Sequence, residues 1–298
     1  MSGKLKEVRE RIKSINSTQQ ITSAMKMVSA AKLKKAQDSI VQLRPYAFRL
    51  NQMLINILSN LDGDVNTKLG VEREIKNAVL VVVTSNRGLC GAFNSNIIKV
   101  AEKSLNNEFK EQYDSGHLDI LCIGKKGYEY FKKHHPKANV LDDHVNAFDN
   151  LSHDSISAIS DILMKDFEEG KVDFVNVAFA RFKNAAVQFS ELEQFLPVPK
   201  MEVNEDDKVK YKSNYIFEPD KDKLLENLIP NIMHTTFQRY LLDTNASEHG
   251  ARMTAMENAT ENAREMLGEL KLEFNKARQE AITKELLEII SGATALEG

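Results

Sequence analysis

Tryptophan is absent from the 298 residues and aromatic side chains make up only 7% of them, so the stacking platforms that accompany basic nucleic-acid surfaces are missing. Cysteine occurs twice, at Cys90 and Cys122. The two form neither a Cys-x-x-Cys pair nor a Cys/His cluster, and they read as buried free thiols of a reducing compartment. Histidines are scattered at His117, His134, His135, His144, His153, His234 and His249, without a metal-ligand spacing. No nucleophile motif is present. The formal net charge of −3 favours neither nucleic acid nor membrane binding. No run approaches the ~18 consecutive apolar residues of a membrane span. The start, Met-Ser-Gly-Lys-Leu-Lys, lacks the apolar core of a secretory signal, and Glu7 and Glu10 interrupt what could mimic a transit peptide. These features predict a cytoplasmic chain.

Glycine and proline are unevenly placed, and their gaps organise the chain. Leu5 to Leu61 contains no glycine and only Pro45; Asn231 to Ser291 contains only Gly250 and Gly268. The two ends therefore read as long helices around a mixed middle. In the C-terminal segment Met253, Met256, Thr260, Ala263, Leu267, Leu270, Phe274, Ala277 and Ala281 recur at alternating spacings of three and four, the repeat of a left-handed coiled-coil seam. Leu5, Val8, Ile12 and Ile15 begin the same rhythm. The N-terminal seam turns polar through Asn16–Gln20 and is expected to recover at Ile21, Met25 and Val28. A helix over Leu5–Leu61 would be roughly 85 Å long, whereas a compact body of this size has a radius of gyration of about 19 Å. The two helices are expected to pair antiparallel and project as a rod. Pro230 is expected to kink or restart the C-terminal helix near Ile229, leaving Leu224, Leu225 and Leu228 in a separate short segment.

The middle reads as α/β. Ala78–Thr84 is a continuous β-branched run suited to a strand buried on both faces. Helices are expected over about Phe93–Gln112, Lys125–His134 and Ser155–Glu168. Further strands are expected over Leu118–Ile123 and Val172–Phe182, with an edge strand over Ala186–Phe195. Alternation of this kind predicts a mainly parallel, Rossmann-like sheet with crossover helices. Met201–Ser213 is charged and reads as an exposed loop. Ser85–Gly91, between strand and helix, is placed where backbone amides could hold a phosphate, yet it matches neither GxGxxG nor a P-loop, and a structural turn is the preferred reading. Residues 1–35 carry nine basic side chains, Lys4, Lys6, Arg9, Arg11, Lys13, Lys26, Lys32, Lys34 and Lys35, against Glu7 and Glu10. That excess is either a solvated face, partly matched by the Glu-rich C-terminal helix, or a track for an acidic partner.

Four stretches resemble one family. Lys13-Ser-Ile-Asn-Ser-Thr-Gln-Gln-Ile-Thr-Ser-Ala-Met-Lys-Met-Val-Ser-Ala-Ala-Lys32 is similar to the N-terminal helix of gamma subunits of F-type ATP synthases. Ser85-Asn-Arg-Gly-Leu-Cys-Gly-Ala-Phe-Asn94 is similar to their middle-domain turn. Ser247–Ala263 and Asn275–Ala293 resemble the start and the end of their C-terminal helix. The order and spacing hold over essentially the whole chain. The resemblance implies a coiled-coil shaft on an α/β foot, divided as shaft helix 1–62, foot 75–200, exposed foot segment 201–220 and shaft helix 221–298. It also implies a rotor without chemistry or cofactor of its own. Its partners would be three alpha and three beta subunits, an epsilon subunit and a membrane ring driven by protons or sodium ions.

By position, Met25 and Lys26 would face an acidic loop of beta. Arg278, Gln279 and Thr283 would engage beta's catch loop, and Tyr215, Phe217 and Glu218 would meet the membrane ring. The extra segment and cysteine pair of chloroplast members are absent, so a bacterial protein, peripheral on the cytoplasmic face of the inner membrane, is implied. The competing readings are an α/β enzyme with a phosphate-bearing substrate and a coiled-coil adaptor or nucleic-acid scaffold.

Overall fold

The computed structural model describes residues 3–59, 68–199 and 221–297. It is a mixed α/β structure whose elements run α1 (Gly3–Ser59), β1 (Ala78–Val83), α2 (Phe93–Asn107), α3 (Lys110–Ser115), β2 (Leu118–Ile123), α4 (Lys125–His134), β3 (Asn139–Leu141), α5 (His153–Glu168), β4 (Phe174–Phe182), β5 (Gln188–Leu196) and α6 (Lys221–Glu297). The chain divides into two compact units, one of residues 1–30 and 252–298, the other of residues 31–251.

The larger unit is built on a five-stranded sheet of order β3-β2-β1-β4-β5. β1 pairs in parallel with β2 and β4, β2 pairs in parallel with β3, and β5 returns antiparallel to β4. Alternation within β1 sends Val79, Val81 and Val83 into one core and Ala78, Leu80 and Val82 into the other. The first core is closed by Ile159, Leu163 and Phe167 of α5, Leu50 and Leu54 of α1, and Met233, Phe237 and Tyr240 of α6. The second is closed by Ile97, Ala101 and Leu105 of α2 and Phe131 of α4. With both faces covered, a continuous apolar run is the stable solution, because each fully buried side chain of this type contributes about 1.5–3 kcal/mol.

Three local differences from the sequence reading have physical causes. The helix expected over Phe93–Gln112 is two helices, broken where Phe109 turns inward to 1% exposure; it packs edge-on to Phe174 at 5.7 Å. The short edge strand β3 went unread because Asn139–Leu141 carries too little periodicity to register. α6 runs unbroken through Pro230, with no separate segment before it. Loss of one backbone hydrogen bond at proline is offset by burial of Leu228, Ile229, Met233 and Phe237 in the core. The expected loop Met201–Ser213 lies outside the described residues.

In the smaller unit α1 and α6 pair antiparallel. Arg9 lies over the Phe274 ring at 5.7 Å, Thr22 bonds Thr260, and Lys26 pairs with Glu257. On α6 the seam has the expected phase: Met256, Ala263, Leu267 and Ala277 are buried and the intervening seam positions half-buried. On α1 the expected recovery at Ile21, Met25 and Val28 does not occur. Ile21 and Val28 are 60% and 57% exposed, and Met25 is only half-buried. The seam instead keeps its spacing from Ile15 through Gln19, Thr22, Lys26 and Ser29, all polar. The partner helix fixes the phase, and the residues in that phase change character.

Candidate functional site: two stations on the paired helices

Met25 and Lys26 form the first station. Lys26 lies in the polar part of the seam, its ammonium 2.7 Å from Glu257 Oε1, with the two side chains 40% and 55% exposed. One layer away the Thr260 hydroxyl donates to Thr22 Oγ1 at 2.8 Å, and it also reaches the Met256 carbonyl at 2.7 Å. Two successive layers of this interhelical seam are therefore made by polar side chains. Such layers fix register more than they stabilise. Beside them Ile21, Met27 and Val28 present apolar surface outward, at 57–65% exposure.

Arg278, Gln279 and Thr283 form the second station, all exposed on α6. The structure brings these three to one stretch of helix but does not bring them to Met25 and Lys26. From Glu257 to Arg278 the helix rises by about 32 Å. Beyond Ala281 every residue through Ala293 is exposed, including Ile282, Leu286, Leu287, Ile289 and Ile290 at 48–67%. The third expected set, Tyr215, Phe217 and Glu218, lies outside the described residues.

The loop Ser85–Gly91 is tied to its neighbours. Ser85 N–H donates to Asn94 Oδ1 at 3.0 Å, Lys125 N–H to Asn86 Oδ1 at 3.1 Å, and Lys126 N–H to the Ser85 carbonyl at 3.1 Å. The Ser85 amide is thus used to join the end of β1 to α2, and oxygens of Ser85 and Asn86 hold the loop to the start of α4. Gly124 is required there: at φ +101° a Cβ would stand 2.0 Å from the Thr84 carbonyl oxygen. Cys90 and Cys122 are buried and free, and burial pushes the Cys122 thiol up to about 12. Of the scattered histidines, folding brings His153 and His234 within 6.4 Å, centroid to centroid, with Ser160 Oγ 2.7 Å from His234 Nδ1. Burial is the main cause that lowers the His234 pKa. Among the described residues no three His, Cys, Asp or Glu side chains converge as a metal site.

The geometry of both stations is that of a helical pair with outward-facing side chains. A family model described as ATP synthase matches residues 4–296. The ATP synthase gamma chain of Cytophaga hutchinsonii is 49% identical over 292 residues, covering 98% of both chains. The chain belongs to the ATP synthase gamma chain family. The gamma chain of Flavobacterium psychrophilum is 47% identical, covering 99% of each chain. The fold is that of a chain in the mitochondrial ATP synthase of Euglena gracilis, with a TM-score of 0.66, 20% identity and coverage of 99% of this chain and 95% of that one. As a gamma chain the protein is a central-stalk subunit of an ATP synthase complex, not itself catalytic. Among the described residues no helix is long and apolar enough to cross a membrane.

The polar layers and the outward apolar residues were missed in the sequence. The three-and-four spacing from Leu5 carries straight on to Gln19, Thr22, Lys26 and Ser29, and following the spacing rather than the hydrophobicity would have found them.

Proposed function

We propose that this gamma chain acts as a rotating shaft inside a ring of three alpha and three beta subunits. A membrane ring driven by protons or sodium ions would turn it on the cytoplasmic face of the bacterial inner membrane. Met25 and Lys26 engage an acidic loop of beta, and Arg278, Gln279 and Thr283 engage a second beta loop some 30 Å further along the helix. Tyr215, Phe217 and Glu218 meet the membrane ring, and the α/β unit carries epsilon. Torque passes only if these contacts favour different beta states at different angles.

The observation that carries this reading is the end of α6, where Ile282, Leu286, Leu287, Ile289 and Ile290 are exposed on a helix that is otherwise patterned. A contiguous apolar surface of that kind marks an interaction site, and an apolar sleeve lets a shaft turn without forming directional bonds. Lys26 is suited to its part because its ion pair with Glu257 is half exposed and therefore weak, about 0–1 kcal/mol, and can be exchanged for an acidic partner.

The test is ATP hydrolysis by cognate alpha and beta subunits with the full chain and with a chain ending at Ala277. The full chain should assemble and raise turnover, and the shortened one should assemble with reduced coupling. A shortened chain that couples normally would remove the second station from the mechanism. Turnover by the isolated full chain would overturn the reading altogether.

A further inference from the structure

The α/β unit holds a cavity of about 660 Å³ between α1, the β4–β5 pair and α6, within the range of about 300–1,000 Å³ typical of small-molecule sites. Ile40, Leu43, Ala47 and Leu50 of α1, Phe195 of β5 and Ile232 of α6 supply its apolar wall. Asp243 of α6 also lines it and is only 8% exposed. Among the described residues its carboxylate has no hydrogen bond and no ion pair.

The charges around it come from every wall. Arg239 on α6, Arg44 on α1 and Arg181 on β4 act on Asp243 from a distance, while Glu193 on β5 opposes them. Two of these cations are already engaged: Arg239 with Glu193 at 2.6 Å and Arg181 with Glu191 at 2.7 Å. All three arginines line the cavity with Asp243 and Glu193, Arg44 from an exposed stretch of α1 where water screens its charge. A buried carboxylate without donors is costly, and a donor-bearing cation is the group that relieves it. Burial raises the Asp243 pKa to about 6, so at neutral pH the carboxylate is charged and lacks a donor.

We propose that this cavity binds a small apolar amine, its ammonium on the Asp243 carboxylate and its hydrocarbon body along Ile40, Leu43 and Ala47. A carboxylic acid of the same shape would set two carboxylates against each other and binds more weakly at neutral pH. Lowering the pH through 6 protonates Asp243 and removes the anchor.

The test uses the full chain titrated calorimetrically with hexylamine and with hexanoate at pH 7.5. Hexylamine should bind at one site, at least about tenfold more tightly than hexanoate, with affinity falling up to about tenfold per pH unit below 6. Asp243→Asn should abolish the preference for the amine, and Ala47→Phe, which fills the apolar end and leaves the carboxylate, should abolish binding. Equal binding of amine and acid, amine binding unchanged in Asp243→Asn, or no saturable amine binding would each overturn the proposal. If either variant fails to fold, the amine-to-acid ratio and the pH profile of the native chain decide it.

Discussion

The α/β unit and the paired helices use apolar residues in opposite ways. In β1 every side chain is at most 4% exposed, and the sheet has a packed core on each face. In the paired helices the seam is one side chain deep. It passes through Thr22–Thr260 and Lys26–Glu257 layers, and large apolar residues such as Val28, Leu272 and Ile289 face outward at 57–73%. The sheet of the first region buries its apolar residues within its own unit. The second carries more apolar surface than its two helices use on each other, which is what a subunit that works against other subunits requires.

The largest expected effect that would separate the two regions is in the sheet. Phe179→Ala removes a fully buried ring 4.4 Å from Tyr240 and should cost about 3–5 kcal/mol, seen as a lower urea midpoint for unfolding. In the seam, Leu267→Ala should cost less, about 2–3 kcal/mol, because Leu267 contacts one partner helix and keeps 8% exposure. An equal or larger loss at Leu267 would break the comparison.

Asp243 gives a pH-dependent version of the same contrast. Its pKa is raised to about 6, mainly by burial, so the folded chain holds this proton more tightly than the unfolded one. The stability it contributes is complete below the ordinary carboxylate range and is lost as pH rises through about 6. Asp243→Asn should therefore raise the urea midpoint more at pH 7.5 than at pH 4.5. An increment that does not change with pH would show that the carboxylate is not held as described.

Smaller effects belong to the polar layers. Replacing Thr22 and Thr260 together by valine removes both hydroxyls of one layer and should be neutral or stabilising by up to about 1 kcal/mol, read from the helical signal on melting. A loss would mean that the hydroxyl pair is a stabilising element. Lys26→Glu, at a half-exposed ion pair, should change stability by no more than about 1 kcal/mol while altering ATPase coupling in the assembled complex. A clear stability loss with unchanged coupling would move Lys26 from the working surface to the scaffold.

Arg278, Gln279 and Thr283 were named by resemblance; what was legible is their exposure, because they fall outside the periodic seam of α6 and a residue outside the seam of a two-helix pair is exposed. Met25 and Lys26 were also named by resemblance, and the seam position of Lys26 was not legible, because hydrophobicity gave no sign of it. Asp243 was invisible, since nothing local distinguishes it from the exposed acids of α6; its burial comes from α1, β4 and β5, remote in the chain.

The sequence by itself determined the strands β1, β2 and β4, the edge strand β5, the long terminal helices and the spacing of the seam. Each follows from a periodicity of two or about three and a half that the backbone geometry imposes on neighbouring residues. Tertiary structure decided the passage of α6 through Pro230, the break before Phe109, the phase of α1 through its polar stretch, the Lys26–Glu257 pair and the burial of Asp243. In each case the deciding energy is burial or pairing against residues far away in the chain, and it exceeds the local preference that a reading of neighbours can weigh.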